Sequence, residues 1–405
     1  MIRVALVSFE FPPAVAIGGI GTYAWEVARM LASDGVEVEV FSAGSSGHEP
    51  ASTYGIRVHR SQHTDRRTFR DSVLPLFAER QAESPFDLLE SPEIGAEGAR
   101  ISEAFQGLAV VTKLHTPSYL LGEIGYEPPT LRDHLRFRLG ALRRGRWAGL
   151  KSTSYIRDQD PEWVFTRNAD EIAAPSQAIA DRLIADWDLE PERVSVFPLP
   201  FRPDPALVNL PVPKTLGTVG FLGRLEARKG VVELARAIPA ILRRAPNLRF
   251  RFLGPSWPYR NGDMENWIRR HCHACLDRIS FVGPIATDQL ATQLATCDVM
   301  VLPSRWESFG LVCPESMAAG RAVIGSSSGG MAELIQPGTS ALLVPPHSPQ
   351  AIASAVLSLV EHPERVPKLA AAGRQRVLEQ LAPERILPLQ LASYARAIDR
   401  ARQRQ

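Results

Sequence analysis

The chain has 405 residues, of which 45% are hydrophobic and 22% are charged, and its formal net charge is only +2. This length predicts two domains with substantial cores, because a single hydrophobic core seldom grows beyond about 250–300 residues. The small net charge does not indicate nucleic-acid binding, and no apolar run is long enough to span a membrane.

The chain begins with a short apolar run that ends at Glu10. This run is too short for the hydrophobic region of a signal peptide, so it is predicted to be the first strand. The four cysteines all lie in the second half, at Cys272, Cys275, Cys297 and Cys313. Because they do not form the pattern of a disulfide framework, we expect a reducing, cytoplasmic location.

In the first 200 residues, short apolar runs alternate with segments of helical periodicity. Strands are predicted at residues 2–9, 36–41, 88–89, 109–114, 171–174 and 194–197. Helices are predicted at residues 22–32, 72–83, 96–105 and 176–187. This alternation predicts a parallel sheet with helices on both faces.

Six prolines between residues 198 and 213 predict an irregular linker. The alternation then restarts, with strands predicted at residues 216–222, 248–253, 279–282, 299–302, 322–324 and 341–344 and a helix at 231–244. The fold class is therefore α/β, with two doubly wound domains, residues 1–200 and 201–382, facing each other across a cleft. A last helix is predicted at residues 384–402, within the terminal segment 383–405.

The stretch that most indicates function follows the strand predicted at residues 299–302. Glu307 lies on a loop there, and Glu315, separated from it by seven residues, lies in the first turns of a helix that should begin near Leu311. Loops at the carboxyl ends of parallel strands are where open α/β sheets bind ligands. The simpler alternative is that both carboxylates are surface groups that complement the helix dipole.

Three residues of this loop, Ser308, Phe309 and Gly310, would direct backbone N–H groups outward at the start of the helix and form an anion site. A site that places N–H donors for an anion beside carboxylates suits a ligand with both phosphates and hydroxyls. A nucleotide sugar is such a ligand.

A basic loop, residues 223–230, is predicted at the same edge of the second sheet. It would bring Arg224 and Lys229 close to Glu307 and Glu315, where they could neutralise a diphosphate leaving group without a metal. The alternative is that these are solvated loop charges.

Together these motifs resemble the retaining glycosyltransferases of family GT4, which have the two-domain GT-B fold. In the second domain the resemblance is carried by Gly223, Arg224, Leu225, Lys229 and Gly230, by residues 307–310 with Glu315, and by Gly329, Gly330 and Glu333. In the first domain it is carried by Pro12 and Pro13, residues 19–21, residues 113–117, Ala169, Asp170 and Ser176. The resemblance extends over essentially the whole chain, which makes it more specific than any single motif.

The resemblance implies roles for residues of the second domain. Arg224 and Lys229 would hold the donor diphosphate, Glu315 the ribose hydroxyls, and Glu307 the transferred sugar. The donor-binding set would be completed by Ser308, Phe309, Gly310 and Leu311.

In the first domain, Gly19 would let the backbone approach the phosphates, and His115 would contact the sugar near the reacting carbon. The catalytic residues would accordingly be His115, Arg224, Lys229 and Glu307. The implied reaction moves a hexosyl-type sugar from a nucleoside-diphosphate sugar to a hydroxyl of a glycan, a glycolipid or a small molecule, with retention and without metal or cofactor. In this fold the last helix crosses back to the first domain.

Three alternatives remain open: an oxidoreductase, a non-catalytic relative, and a core role for His115. A zinc site is a fourth possibility that the sequence does not support. Residues 19–24 match a dinucleotide-binding fingerprint with Glu39 as the ribose-binding acid, which would indicate an NAD(P)-dependent oxidoreductase, although residues 10–17 separate the fingerprint from its strand. The His and Cys residues at 271–275 point several ways around a helix and do not predict a zinc site. A non-catalytic nucleotide-sugar-binding relative would also have this fold, and His115 could be a core histidine.

The segment at residues 131–151 is strongly basic. Its charged residues are Arg132, Arg136, Arg138, Arg143, Arg144, Arg146 and Lys151, against Asp133 alone, and Leu131, Leu135, Leu139 and Leu142 recur at helical spacing. Three interpretations remain: a solvated helix of the first domain, a patch for an anionic acceptor, and a helix that contacts the inner face of a membrane.

Overall fold

The computed structural model describes residues 2–15, 18–45, 47–49, 54–62, 65–127, 138, 142, 155–260 and 262–404. Apart from residues 138 and 142, the basic segment at 131–151 lies outside the described residues.

Sixteen strands are present in the described part of the chain. They are β1 (Arg3–Val7), β2 (Glu37–Ala43), β3 (Gly47–Glu49), β4 (Arg57–Ser61), β5 (Leu88–Pro92), β6 (Ala109–Lys113), β7 (Glu171–Ala174), β8 (Val194–Val196), β9 (Thr218–Leu222), β10 (Arg249–Leu253), β11 (Pro258–Tyr259), β12 (Gly262–Asp263), β13 (Ile279–Gly283), β14 (Val299–Leu302), β15 (Ala322–Ser326) and β16 (Leu342–Val344). The first sheet has the order β3-β4-β2-β1-β5-β6-β7-β8, and the second has the order β13-β10-β9-β14-β15-β16.

Both sheets are parallel, except that β3 runs antiparallel to β4, while β11 and β12 form a small separate ribbon. Strands β1, β5, β6 and β15 are buried along their whole length, as expected for strands covered by helices on both faces. The predicted fold class, two doubly wound α/β domains, is confirmed.

The α-helices of the described residues are α1 (Gly19–Ser33), α2 (Arg66–Glu83), α3 (Ala99–Ala104), α4 (Ser118–Gly125), α5 (Pro161–Asn168), α6 (Gln177–Trp187), α7 (Pro205–Val208), α8 (Val231–Arg244), α9 (Met264–His271), α10 (Leu290–Leu294), α11 (Val312–Ala318), α12 (Met331–Leu334), α13 (Pro349–Glu361), α14 (Arg365–Gln380) and α15 (Pro383–Arg404). Within the described ranges, none of them combines the length and the apolar character needed to cross a bilayer.

The structure contains elements that the sequence analysis did not predict, among them β3, β4, α4 and α5, and two of the differences have a clear physical reason. Strand β4 was missed because His59 and Arg60, although buried, are polar, so this strand contains no apolar run. The proline-rich linker is not wholly irregular, since it contains α7. Pro205 stands at the first position of that helix, where a missing N–H costs nothing, and the Asp204 carboxylate accepts the Ala206 N–H at 2.7 Å.

Helix α15 packs against β6 and β7 of the first sheet, so the chain returns to the first domain after completing the second. Its Tyr394 hydroxyl donates to the Glu90 carboxylate at 2.7 Å, and the Gln390 amide donates to the same carboxylate at 2.8 Å. Near its end, Arg404 lies 2.8 Å from Asp170. These polar contacts, of which the two to Glu90 are buried, fix the helix on the first domain.

Gly230 allows the loop after β9 to pass against the end of β14. Its φ is +72°, and a Cβ atom there would lie 1.9 Å from the Pro303 carbonyl oxygen. Only glycine combines this backbone conformation with so close an approach.

We therefore expect Gly230→Ala to destabilise the fold far more than Gly35→Ala. Gly35 has a similar φ of +82° but no atom within 4 Å of the added Cβ, so it should lose only about 1–2 kcal/mol from the backbone conformation. Gly230→Ala should lose about 1–3 kcal/mol more, because the added atom overlaps a carbonyl group. Denaturant unfolding of both variants measures the difference, and equal losses would show that the contact with Pro303 relaxes freely.

Candidate functional site

Two loops meet at the carboxyl edge of the second sheet. The first, residues 223–230, follows β9, and the second, residues 303–311, follows β14, which is the neighbour of β9 in the sheet. The Arg305 N–H donates to the Arg228 carbonyl at 2.8 Å and joins the loops directly. The two loops that the sequence placed at one edge are thus in contact.

Glu307 forms the centre of this edge. Its carboxylate lies 2.5 Å from Lys229 Nζ and 3.5 Å from Arg228 Nη1, and its side chain is only 7% exposed. Burial alone would raise the pKa of Glu307, but the charges of Lys229 and Arg228 outweigh burial and lower the pKa to about 2. Glu307 is therefore an ionised carboxylate held in an ion pair.

Arg228, which the sequence did not single out, contacts Glu307, whereas Arg224 does not. Arg228 also lies 2.7 Å from Glu226, while Arg224 lies 3.3 Å from Glu226 and places its guanidinium carbon 5.1 Å from the centre of the Trp257 indole. The conformation of the short 3-10 helix Ala227–Lys229 decides which basic side chain turns inward. The residue order alone does not reveal that choice.

Glu315 lies on the first turn of α11 and is half-buried. Among the described residues, no group donates a hydrogen bond to its carboxylate. Burial raises the pKa of Glu315 to about 7, although the charge of Lys229 partly opposes this rise. The backbone N–H groups of Ser308, Phe309 and Gly310 likewise donate to no described group, so they remain free to bind a ligand.

The first domain touches the 303–311 loop from the opposite side. The Thr116 hydroxyl donates to the Ser308 hydroxyl at 3.1 Å, and the Ser176 hydroxyl donates to the Ser308 carbonyl at 2.6 Å. A Cβ atom on Gly19 would lie 3.3 Å from Leu311 Cδ1. Residues of both domains therefore meet at the loop that carries Glu307.

His115 lies at the same interface, one residue before Thr116. Its backbone N–H donates to the Glu93 carboxylate at 2.9 Å, and its ring meets the Tyr23 ring edge-on at 5.4 Å. Burial lowers the pKa of His115 to about 3, with the charge of Lys113 adding to the effect. The side chain of His115 is half-buried. Because its pKa is so low, His115 is neutral at physiological pH.

Glu333, which carried part of the family resemblance, contacts the end of a helix other than its own. Its carboxylate accepts the backbone N–H groups of Gln177 at 2.9 Å and of Ala178 at 2.7 Å, at the amino terminus of α6 in the first domain. The Glu333 carboxylate thus joins the second domain to the first at this helix end.

Glu39, the ribose-binding acid of the dinucleotide interpretation, already has partners within the protein. Its carboxylate lies 2.7 Å from Arg3, 2.6 Å from His59 and 2.9 Å from Arg80 in the interior of the first domain. Burial opposes its charge, but the hydrogen bonds from His59 and Arg80 reverse this effect and lower the pKa of Glu39. It cannot also hold a ribose.

We expect Glu307 to contribute to the acid sensitivity of the protein, beside Glu39, whose pKa is also lowered. Its pKa falls from the usual 4.5 to about 2, so between these values the unfolded chain binds the additional proton and stability falls as the pH is lowered. At 1.36 kcal/mol per pKa unit, the full loss is about 3 kcal/mol.

The unfolding free energy of Glu307→Gln should consequently fall less between about pH 5 and pH 2 than that of the wild type. Glu123→Gln, which alters an exposed ion pair with Arg182, serves as the control. Identical pH profiles for the wild type and Glu307→Gln would contradict the assignment.

Comparison with known proteins identifies the family. Residues 17–204 match the model of Glycosyltransferase Family 4, and residues 217–362 match that of Glycosyl transferases group 1. A D-inositol 3-phosphate glycosyltransferase from Corynebacterium glutamicum is 26% identical over 395 residues, which are 89% of each chain.

Solved structures share the fold at lower identity. Sucrose-phosphate synthase from Thermosynechococcus elongatus aligns with a TM-score of 0.72 and 24% identity over 99% of this chain and 100% of its own. The Anabaena protein HepE, solved with UDP, aligns with a TM-score of 0.66 and 17% identity over 97% and 100%, and it has also been solved with UDP-glucose. The chain is an enzyme that transfers sugars and has the GT-B fold, and it belongs to glycosyltransferase family 4, as the sequence motifs indicated.

Proposed function

We propose that this glycosyltransferase moves a hexosyl-type sugar from a nucleoside-diphosphate sugar to an acceptor hydroxyl, with retention of the anomeric configuration and without a metal ion. The observation that carries the proposal is the buried cluster of Glu307 with Lys229 and Arg228, on a loop that both domains contact. The cluster supplies two cations for a diphosphate and one carboxylate for sugar hydroxyls.

The cations explain how the leaving group would be stabilised. As the bond between the anomeric carbon and the phosphate oxygen breaks, negative charge accumulates on the diphosphate. Lys229 and Arg228, with Arg224 at the outer end of the loop, would meet this charge. The backbone N–H groups of Ser308 and Gly310 are further donors to the diphosphate. Because they are uncharged, burying them costs less hydration energy than burying another cation.

Retention would follow from attack on the face that the leaving group vacates. The acceptor oxygen forms its bond to the anomeric carbon as the bond to the phosphate oxygen breaks, and the acceptor proton passes to that phosphate oxygen. His115 is neutral, so it can exchange a hydrogen bond with a sugar hydroxyl without placing a positive charge beside a positively charged sugar ring. Glu307 would accept hydrogen bonds from the hydroxyls of the same sugar.

The relatives support this choice of substrates. HepE binds UDP and UDP-glucose on the same fold, which favours a nucleotide sugar as the donor here. The D-inositol 3-phosphate glycosyltransferases are named for a phosphorylated polyol, which makes D-inositol 3-phosphate a reasonable first acceptor to test.

The direct test incubates the protein with UDP-, GDP-, ADP- and dTDP-sugars and a panel of hydroxyl acceptors that includes D-inositol 3-phosphate. We expect acceptor-dependent release of the nucleoside diphosphate that persists in EDTA, and an NMR spectrum of the product that shows the donor's anomeric configuration. Lys229→Met should lower kcat by about 10²–10³-fold, whereas Lys368→Met, at an exposed position of α14, should not. An inverted product, or activity that EDTA abolishes and magnesium restores, would refute the proposal.

Glu315 should recognise the ribose rather than take part in bond making. A carboxylate accepts hydrogen bonds from both ribose hydroxyls at once, so removal of the 2′-hydroxyl should weaken nucleoside-diphosphate binding roughly tenfold in the wild type. In Glu315→Ala this preference should largely vanish. Because burial raises the pKa of Glu315 to about 7, the preference should also shrink as the pH falls below 7.

Calorimetric titration of the wild type and of Glu315→Ala, each with the nucleoside diphosphate and with its 2′-deoxy analogue, completes a double cycle of enzyme and ligand. If the two changes prove additive, Glu315 does not contact the ribose.

A further inference from the structure

Glu127 of the first domain reaches across the cleft. It lies two residues beyond the end of α4, and its side chain is 24% exposed. One carboxylate oxygen accepts from Arg305 Nη2 at 2.6 Å, and the other accepts from the Tyr259 hydroxyl at 2.6 Å. Arg260 lies 3.7 Å away. One carboxylate of the first domain thus meets three side chains of the second.

Arg305 connects Glu127 to the candidate site. Its side chain is only 7% exposed, and it also lies 3.0 Å from Glu233 on α8. Its backbone N–H donates to the carbonyl of Arg228, the residue whose guanidinium contacts Glu307. Arg305 itself stands two residues before Glu307. Movement of Arg305 would therefore be transmitted to Glu307 through the backbone and through Arg228.

The other contacts between the first domain and this loop are of a different kind. Thr116 and Ser176 contact Ser308 through neutral hydroxyls. Among the described residues of the first domain, Glu127 is the one that forms an ion pair with the 303–311 loop. The pair is also only partly exposed, so solvent screens it less than it screens a surface pair.

We propose that Glu127 is a positioning residue for the donor site, which holds Arg305 from the opposite domain so that the loop carrying Glu307 is ordered when the cleft is closed. The inference rests on the proposed function in that the ligand ordered by this loop is a nucleoside-diphosphate sugar. The role proposed for Glu127 is to hold Arg305 and not to contact the ligand or the reacting atoms. Without Glu127, Glu233 is the one described acidic residue that still pairs with Arg305. The loop is then less ordered, and the free energy of ordering it reduces the affinity for the ligand.

The test uses the full chain with Glu127→Gln, which keeps the size of the side chain and removes its charge. The matched control is Glu123→Gln on the same α4 helix, because Glu123 pairs with Arg182 at 2.7 Å within the first domain. Calorimetry with UDP, GDP, ADP and dTDP first identifies the diphosphate that the wild type binds. For that diphosphate, Glu127→Gln should raise the Kd roughly three- to tenfold, and Glu123→Gln should leave it unchanged.

Two readouts separate positioning from a merely structural role. Arg305→Lys should weaken binding too, and the double variant with Glu127→Gln should bind no more weakly than Arg305→Lys alone, because both changes interrupt one connection. In the protein without ligand, amide hydrogen exchange at Arg305 should be at least about threefold faster in Glu127→Gln and unchanged in Glu123→Gln.

The outcomes are distinct for the two proposals. If the wild type binds none of the four diphosphates, the proposed donor class is wrong, and hydrogen exchange still decides whether Glu127 orders the loop. If the wild type binds one of them and Glu127→Gln binds it equally well, the positioning role is wrong. Unchanged exchange at Arg305 likewise overturns it, and additive effects of the two substitutions overturn it as well.

Discussion

The buried ion pair of Glu307 and Lys229 is the constraint on which the rest of the site depends. Removing two charges from water is costly, and their attraction compensates only when the geometry is accurate and further partners are present. Here the geometry comes from two loops on neighbouring parallel strands, and Arg228 supplies the further partner. Gly230 makes the close packing of these loops possible, because a Cβ there would lie 1.9 Å from the Pro303 carbonyl oxygen. In the proposed function, this pair keeps a cation for phosphates and a carboxylate for hydroxyls in place before the ligand binds.

The two carboxylates of the site have opposite environments, which is a common way to give similar groups different tasks. Glu307 is surrounded by cations and is ionised far below neutral pH, while Glu315 has no hydrogen-bond donor within the described part of the chain and has a pKa raised to about 7 by burial. Neutral His115 completes the set from the first domain. This division fits a site in which one carboxylate is held rigidly near the diphosphate and the other gains its hydrogen bonds only when ligand hydroxyls arrive.

Several contacts between the domains converge on the 303–311 loop. Thr116, Ser176 and Glu127 all reach the 303–311 loop, and Glu333 reaches back from the second domain to the amino terminus of α6. Because the same loop holds Glu307, the free energy of domain contact and the geometry of the site are coupled. A transferase benefits from such coupling, since closing the cleft excludes water that would otherwise accept the sugar.

The sequence by itself determined the fold class and the two loops at one edge of the second sheet, because apolar strands, loop glycines and local spacing are all encoded within short segments. It did not reveal β4, whose buried polar residues are satisfied by partners elsewhere in the chain. It also did not distinguish Arg228 from Arg224 as the cation that meets Glu307, nor did it find the partners of Glu333. The contact of Glu127 with Arg305 joins residues 178 positions apart. Only the tertiary structure decided these points, because loop conformation sets the direction of a side chain, and the packing of one domain against the other sets what that side chain meets.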